Sequence, residues 1–255
     1  IRMGGVAVGY VPAGHVLGSA QIVLDYRGER VVVSGDYKRR PDPTCAAFEP
    51  VQCDVFVTEA TFALPVFRHP DTGDEIDKLI ARLHANPDRC VLVGAYALCK
   101  AQRVIAELRE RGHDAPIYIH GALQRLCDLY AEHGVRLGEL LPVADAKKAD
   151  MAGHVVMCPP GALNDRWSRR LPDPITAMAS GWMPVRQRAR QKNVELPLIL
   201  SDHADWDELT TTLTEIAPRE VWVTHGREEA LVHWCEQRQM KARALALVGF
   251  EDEDD

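Results

Sequence analysis

Short apolar runs that end in glycine, proline or polar residues recur through the first quarter of the chain. The pattern predicts four strands, at 6–11, 20–26, 30–36 and 53–61. The tight RGE turn at 27–29 predicts that the second and third of these strands form a hairpin. This part of the chain is therefore expected to be almost entirely β.

Beyond Pro65 the sequence pattern changes to one that includes helical periods. Helical stretches such as DEIDKLIARLHA and KAQRVIAELRERG now alternate with short apolar runs such as RCVLVGAY and HVVMC. This alternation is typical of a parallel sheet covered by helices. From Leu196 a buried strand, LPLIL, leads into SDHADW, and helices then alternate with EVWVTH and RALALVGF.

The order of these elements predicts an α/β protein with one lobe made from both ends of the chain and a second α/β lobe inserted between. The predicted domains are 1–64, 65–195 and 196–255. With 255 residues and 46% hydrophobic residues, the chain is long enough to bury such cores.

Composition narrows the cellular setting. No apolar run reaches the roughly 20 residues that a membrane helix needs, and no basic-then-apolar leader opens the chain, so we expect a soluble cytoplasmic protein without a membrane partner. The seven cysteines form no CxxC pair. Buried reduced thiols are therefore expected, and a structural zinc ribbon is not.

The net charge of −7 argues against a nonspecific nucleic-acid binder, but the charge is uneven. The tail GFEDEDD is acidic, whereas three clusters are basic: Lys38–Arg40, RWSRR (166–170) and RQRARQK (186–192). Such clusters suit phosphate backbones. An ordinary solvated helix face explains any one of them equally well.

Five hydrophobic runs have, at or beside their ends, a side chain that can bind a metal or transfer a proton: PAGH, VVVSGD, VFVTE, LILSDH and VWVTH. The side chains are those of His15, Asp36, Glu59, His203 and His225. Ligand sites in layered α/β folds lie at strand termini, where side chains converge. One histidine after a strand is usually a surface residue, but five such positions in one lobe predict a site.

The motifs PAGHVLGSAQI, SGDYKRR, TEATF, SDHADW and VTHG resemble, in order, those of the metallo-β-lactamase superfamily. More narrowly, they are similar to its β-CASP branch and to the bacterial DNA ligase-associated exonucleases within it. The resemblance implies an αββα-type lobe with an inserted β-CASP lobe. It also implies a hydrolase, a nuclease that cleaves phosphodiester bonds, with DNA as substrate and with a DNA ligase and other repair proteins as partners.

The resemblance also assigns roles within the site. It implies two divalent metal ions, zinc or manganese, with His15 on the first, Asp36 bridging both and His225 on the second. It implies that His203 is the general acid, held protonated by Glu59. Asp202 and Asp205 either support this site or cap the next helix, and capping is the favoured role for Asp205.

Several residues are candidates for contact with nucleic acid. Lys100 and Gln102, in a stretch that resembles the β-CASP strand-contacting region, are expected to face phosphates, although a solvated helix start explains them equally well. Trp182 is expected either to stack on a base or to pack in the core. The basic clusters add Lys38, Arg39, Arg186 and Arg188.

The superfamily motif H-x-H-x-D-H, which supplies most ligands for both metals, is absent from the sequence, and the chain does not begin with methionine. We therefore expect an N-terminally truncated chain with an incomplete metal site, little or no activity, and exposed apolar surface.

Three other functions remain open. The first is a β-CASP ribonuclease, because nothing in the residues reads a 2′-hydroxyl. The second is a non-catalytic nucleic-acid-binding protein, against which the retained His203 and Glu59 count. The third is a small-molecule hydrolase, which the large insert and the basic stretches disfavour. The direction of digestion and the oligomeric state are left open.

Overall fold

The computed structural model describes residues 1–185 and 194–245 and divides the chain into two compact units. The first unit contains Ile1–Pro41, Cys45–Arg68 and the chain from His203 onward. The second contains Asp42–Thr44 and His69–Asp202. The predicted boundary before residue 196 differs from this division, because Leu196–Leu198 pairs with a strand of the second unit.

The strands, in chain order, are β1 (Arg2–Met3), β2 (Val6–Pro12), β3 (Ala20–Tyr26), β4 (Glu29–Val33), β5 (Val55–Ala60), β6 (Val91–Gly94), β7 (Ile117–Ile119), β8 (Leu140–Pro142), β9 (Val155–Cys158), β10 (Ile175–Ala179), β11 (Leu196–Leu198), β12 (Glu220–Gly226) and β13 (Lys241–Ala244). The α-helices are α1 (Thr72–His84), α2 (Lys100–Glu110), α3 (Gln124–Glu132), α4 (Trp206–Ile216) and α5 (Glu228–Glu236).

The first unit is built on a seven-stranded sheet with the order β1-β2-β3-β4-β5-β12-β13. The strands from β1 to β4 pair antiparallel, which confirms the predicted hairpin of β3 and β4. The remaining neighbours pair in parallel, and β5 lies between β4 and β12. The two ends of the chain therefore build one sheet, as the order of elements predicted.

The core of this unit lies on one face of the sheet. Val23, Val32 and Phe56 are buried there together with Leu209 and Leu213 of α4. Successive side chains of a strand point to opposite faces of the sheet, so Val23 and Val32 lie on this face and their sequence neighbours lie on the other. Asp205 caps α4 in a capping box with Glu208, so the favoured capping role of Asp205 is confirmed.

The opposite face of β1, β2 and β3 carries apolar side chains that are open to solvent. Met3 is 68% exposed and Tyr10 is 64% exposed. Ile22 pairs directly with Tyr10, and Tyr26 lies further along β3 on the same face. This surface agrees with the expectation of exposed apolar area in this lobe.

The second unit contains a six-stranded sheet with the order β11-β10-β6-β9-β7-β8, in which every neighbouring pair is parallel. Its central strands β6 and β9 are fully buried, so their sequences are continuous apolar runs without alternation. The predicted parallel sheet with helices is confirmed. Among the described residues, no helix is long and apolar enough to cross a membrane.

Candidate metal centre

The five predicted site residues all lie in the first unit. His15 is in the loop after β2, and Asp36 is the third residue after the end of β4. Glu59 is the last residue but one of β5. His203 precedes α4, and His225 is the last residue but one of β12. Because β4, β5 and β12 are parallel neighbours, their carboxyl ends meet at one edge of the sheet.

Three of these side chains converge. His15, Asp36 and His203 are the only group of three metal-ligating residues that residues 1–185 and 194–245 bring together, with one ligand atom from each within 4.8 Å of the others. His15 Nε2 lies 3.8 Å from Asp36 Oδ2, and His203 Nδ1 lies 4.0 Å from Asp36 Oδ1. Ligands at about 2.0–2.1 Å from a tetrahedral zinc ion are about 3.4 Å apart, so this spacing is close to that of a metal site.

The cluster is accessible from solvent. The side chains of His15 and His203 are about one-fifth exposed, and that of Asp36 is about one-third exposed. The two imidazole rings contact each other with centroids 4.7 Å apart and planes tilted by 57°. A ligand that enters from solvent can therefore reach all three side chains.

Glu59 lies beneath this cluster, almost fully buried. Its Oε2 is 3.1 Å from His203 Nδ1, and its Oε1 accepts the Tyr37 backbone N–H at 2.8 Å. Burial alone would raise the pKa of Glu59, but the charge of His203 and hydrogen bonds from His203, Thr61 and Tyr37 outweigh it and hold that pKa below the ordinary value. Glu59 is therefore a buried carboxylate that orients the His203 ring.

The loop that carries His15 is fixed by close backbone contacts. Gly14 has φ +74°, and a Cβ there would lie 2.4 Å from the Lys38 carbonyl oxygen, so only glycine fits. The buried Lys38 ammonium donates to the Gly14 carbonyl at 2.6 Å. Ser19 Oγ accepts the His15 backbone N–H at 3.1 Å. These contacts set the position of His15 before any ligand binds.

His225 lies apart from the cluster. Its side chain is exposed, its φ is +59°, and no group of three ligating residues that includes it occurs in the described part of the chain. The next residue, Gly226, approaches β5 so closely that a Cβ would lie 2.4 Å from the Ala60 carbonyl oxygen. The predicted role of His225 on a second metal stays a prediction.

Comparison with known proteins gives relatives of two kinds. A probable DNA ligase of Opitutus terrae is 27% identical over 238 residues, which are 92% of this chain and 23% of the ligase. Cleavage and polyadenylation specificity factor subunit 3-I of Arabidopsis thaliana is 25% identical over 283 residues, which cover 91% of this chain and 41% of the factor. A ribonuclease of Thermus thermophilus is 29% identical over 140 residues, 51% of this chain and 31% of the ribonuclease.

These relatives indicate the metallo-β-lactamase β-CASP family. The resemblance of the motifs to that family is thereby confirmed. The chain spans less than half the length of each of the three relatives. No protein-family profile matches the chain.

A crystal structure of a protein of unknown function from Enterococcus faecalis has the same fold. It matches 98% of this chain and 64% of that chain with a TM-score of 0.61 at 13% sequence identity. A likeness at this identity shows the fold alone. Together with the β-CASP relatives it confirms the predicted α/β class.

The donor set of the cluster fits the family's chemistry. Nucleases of the metallo-β-lactamase type generally use divalent metals. Two imidazoles and one carboxylate are ligands that suit Zn²⁺ and also Mn²⁺. The contact of His203 Nδ1 with Glu59 resembles the carboxylate contact that commonly orients a histidine in such sites.

Two of the residues predicted to contact nucleic acid are fully buried instead. Lys38 is fully buried and binds the Gly14 carbonyl, and Gln102 is fully buried and donates to the Ala97 carbonyl at 3.0 Å. Both predictions need correction for this structure, because neither side chain reaches solvent. The local sequence did not reveal this, since a basic run and a helix start are usually exposed.

The other predicted contacts are placed as follows. Arg39 forms an ion pair with Glu215 at 2.5 Å. Lys100 is also buried, with its ammonium 3.1 Å from Asp202 Oδ2, so its predicted contact with phosphate needs correction as well. Trp182 is half-buried in a turn after β10. Arg186 and Arg188 lie outside the described residues. The binding roles of Arg39, Trp182, Arg186 and Arg188 stay predictions.

Thr61 belongs to the site although no role was predicted for it. Its Oγ1 is 3.4 Å from His203 Nδ1, and it also hydrogen-bonds Glu59. Thr61 follows Glu59 by two positions, and residues two apart along an extended chain point to the same side. The spacing in TEATF was the signal that could have identified it.

Proposed function

We propose that this protein is a metal-dependent nuclease that hydrolyses phosphodiester bonds in nucleic acid, and that it acts as a DNA exonuclease alongside ligation and repair. The observation that carries the proposal is the convergence of His15, Asp36 and His203 above the buried Glu59 carboxylate. A cluster of this kind at the carboxyl ends of β4 and β5 is a site for chemistry rather than a support for the core.

His15 and Asp36 are proposed to hold a divalent ion, with His225 on a second one. Such ions, when bound, stabilise the charge that develops on a phosphoryl group and lower the pKa of a coordinated water. The fixed loop geometry of Gly14 and the one-third exposure of Asp36 support these roles. The metal is proposed to be zinc, with manganese as the alternative.

His203 is proposed to protonate the departing sugar oxygen. The Glu59 carboxylate, with its lowered pKa, stays charged at neutral pH and favours the protonated imidazole. Because Nδ1 faces Glu59 and Thr61, the Nε2 proton is the one left for the substrate. A positioned general acid of this kind contributes about 10²- to 10⁴-fold to the rate.

DNA is the proposed substrate, and RNA is the alternative. The Opitutus terrae relative is named a probable DNA ligase, which favours DNA. The Thermus thermophilus relative is named a ribonuclease and the Arabidopsis thaliana relative a cleavage and polyadenylation specificity factor subunit, and these names favour RNA. Hydrolysis of matched DNA and RNA oligonucleotides under one metal condition separates the two. A DNA ligase and other repair proteins are the proposed partners for the DNA function, in the cytoplasm.

The decisive experiment compares His203→Gln with His133→Gln, an exposed histidine on the second unit. We expect His203→Gln to lower the hydrolysis rate by about 10²- to 10⁴-fold while elemental analysis finds the same metal content. His133→Gln should change neither quantity. Loss of metal from His203→Gln would make His203 a ligand rather than the acid, and no hydrolysis by the wild-type protein with zinc or manganese would refute the proposed function.

A further inference from the structure

The second unit carries a compact group of cations that the metal centre does not use. Arg166, Arg169 and Arg170 are all exposed. None of their guanidinium groups forms an ion pair or hydrogen bond with another residue in the described part of the chain. By contrast, the exposed Arg136 is paired with Asp114 at 3.2 Å. Three unpaired arginines within five positions leave a local positive charge unneutralised.

The acidic residues beside this segment are engaged elsewhere. Asp165 Oδ1 accepts the Arg166 backbone N–H at 2.6 Å, which caps the turn. Asp173 Oδ2 lies 2.9 Å from Arg89 Nε. Neither carboxylate forms an ion pair with the three guanidinium groups, and three cations against the one adjacent Asp165 leave the segment Arg166–Arg170 basic although the whole chain has a net charge of −7.

The segment is also held in place. Ser168 and Leu171 are buried, and Ser168 Oγ donates to the Asp165 carbonyl at 2.8 Å. Trp167 packs against the core of the unit, with its ring 4.6 Å from His120 in an edge-on arrangement. Cations on a fixed backbone lose less conformational freedom when they bind than cations on a flexible tail.

Its place in the sheet is one where ligands bind. His120 directly follows β7, and the chain from β9 leads through Pro160–Asn164 into the segment. The contact of Trp167 with His120 therefore places the segment at the carboxyl ends of parallel strands, the edge where open α/β sheets receive their ligands.

We propose that the segment Arg166–Arg170 binds the sugar–phosphate backbone of a nucleic-acid strand. The occupant is inferred from charge complementarity, because three exposed, unpaired arginines spread over one segment suit a polymer of phosphates better than a single small anion. The inference rests on the proposed nuclease function and adds to it a contact surface away from the metal centre.

The proposal predicts a number. Each phosphate contact contributes about 0.7 to the slope of log affinity against log salt for a single strand and about 0.9 for a duplex. Arg166→Gln/Arg169→Gln/Arg170→Gln should therefore lower that slope by about 2 to 3. The ratio of affinities at 50 mM and 200 mM salt should fall by about 20- to 40-fold relative to the wild-type protein.

The test measures binding of a fluorescent 20-nucleotide DNA by anisotropy, with EDTA present so that no strand is cleaved. The lysine triple variant at the same positions keeps the charge and should keep the slope. Arg136→Gln, an exposed but ion-paired arginine, should leave it unchanged. Circular dichroism confirms that each variant is folded.

The outcomes separate the inference from the proposed function. An unchanged slope in a folded glutamine triple variant overturns the inference and leaves the nuclease function standing. A loss of slope shared by the lysine triple variant also overturns it, because charge would then not be the cause. A wild-type protein that binds neither DNA nor RNA overturns both. Inorganic phosphate that competes at millimolar concentration would show a small-anion site instead of a backbone contact.

Discussion

Removal of the Arg103 side chain should destabilise the second unit more than any surface substitution. The guanidinium group is fully buried in α2. Three carboxylates surround it, with the nearest oxygens at 3.3 Å for Asp42, 3.6 Å for Asp202 and 3.7 Å for Glu107. Burial lowers the pKa of Arg103, but these carboxylates outweigh it and raise the pKa above the ordinary value, so the group stays charged.

The magnitude follows from what Arg103→Met leaves behind. The buried Asp42 carboxylate loses its ion pair with Arg103, and breaking such a pair costs about 3–5 kcal/mol. The hydrogen bonds to the Ser201 carbonyl at 2.6 Å and to Thr72 Oγ1 at 2.9 Å are lost as well. The upper end, about 5 kcal/mol, is therefore expected, which is a large share of the roughly 5–15 kcal/mol that stabilises a typical domain.

Thermal unfolding followed by circular dichroism measures this effect. In a protein of this size each kcal/mol lowers Tm by about 2–4 °C, so Arg103→Met should lower it by about 10–20 °C. Arg125→Met, at an exposed position on α3, is the control and should lower Tm by at most about 2 °C. Adding Asp42→Asn to Arg103→Met also removes the charge of the buried carboxylate and should restore part of the lost Tm. Equal Tm values for Arg103→Met and the control would refute the reasoning.

Three further predictions concern local groups. Burial, followed by the charge of Arg109, lowers the pKa of His113 below 6.5. As the pH falls below 6.5, the unfolded chain takes up a proton more readily than the folded chain, so the Tm of the wild-type protein should drop. His113→Asn should reduce this drop in Tm between about pH 7.5 and 5.5. Asp205→Ala removes the α4 cap and should cost about 1 kcal/mol in chemical denaturation, against less than half of that for the exposed Asp207→Ala; equal costs would contradict the capping role. Burial raises the pKa of Cys90 to about 12, so iodoacetamide and mass spectrometry should find the five buried thiols unlabelled in the native protein, and native labelling of any of them would contradict the burial.

The sequence pattern predicted most of the sheet architecture because strands with one buried face alternate and strands with two buried faces do not. The alternation in β3, with Val23 buried and Ile22 exposed, and the apolar run of β9 show the two cases. Two short strands, β1 and β8, were not predicted. Each has two or three residues without a fully buried side chain, which is too short to produce a period.

The site was predictable to the extent that strand order was. Polar residues at the ends of neighbouring parallel strands must converge, and His15, Asp36 and Glu59 do so around His203. Burial was not predictable from local sequence. Lys38 stands in a basic run but is buried against Gly14, because the close approach of two backbones, permitted by glycine, encloses its ammonium group.

The pairing of β5 with β12 also sets the order in which the protein can fold on the ribosome. Val55 pairs with Glu220, so one edge of β5 has no partner until the whole second unit has been synthesised. At about 5–20 residues per second this interval lasts on the order of ten seconds or more, long enough for the second unit to fold by itself. During that interval the apolar strand VFVTEA can pair with a neighbouring nascent chain. Slower translation through residues 69–202 therefore lengthens the time for which β5 lacks this neighbour.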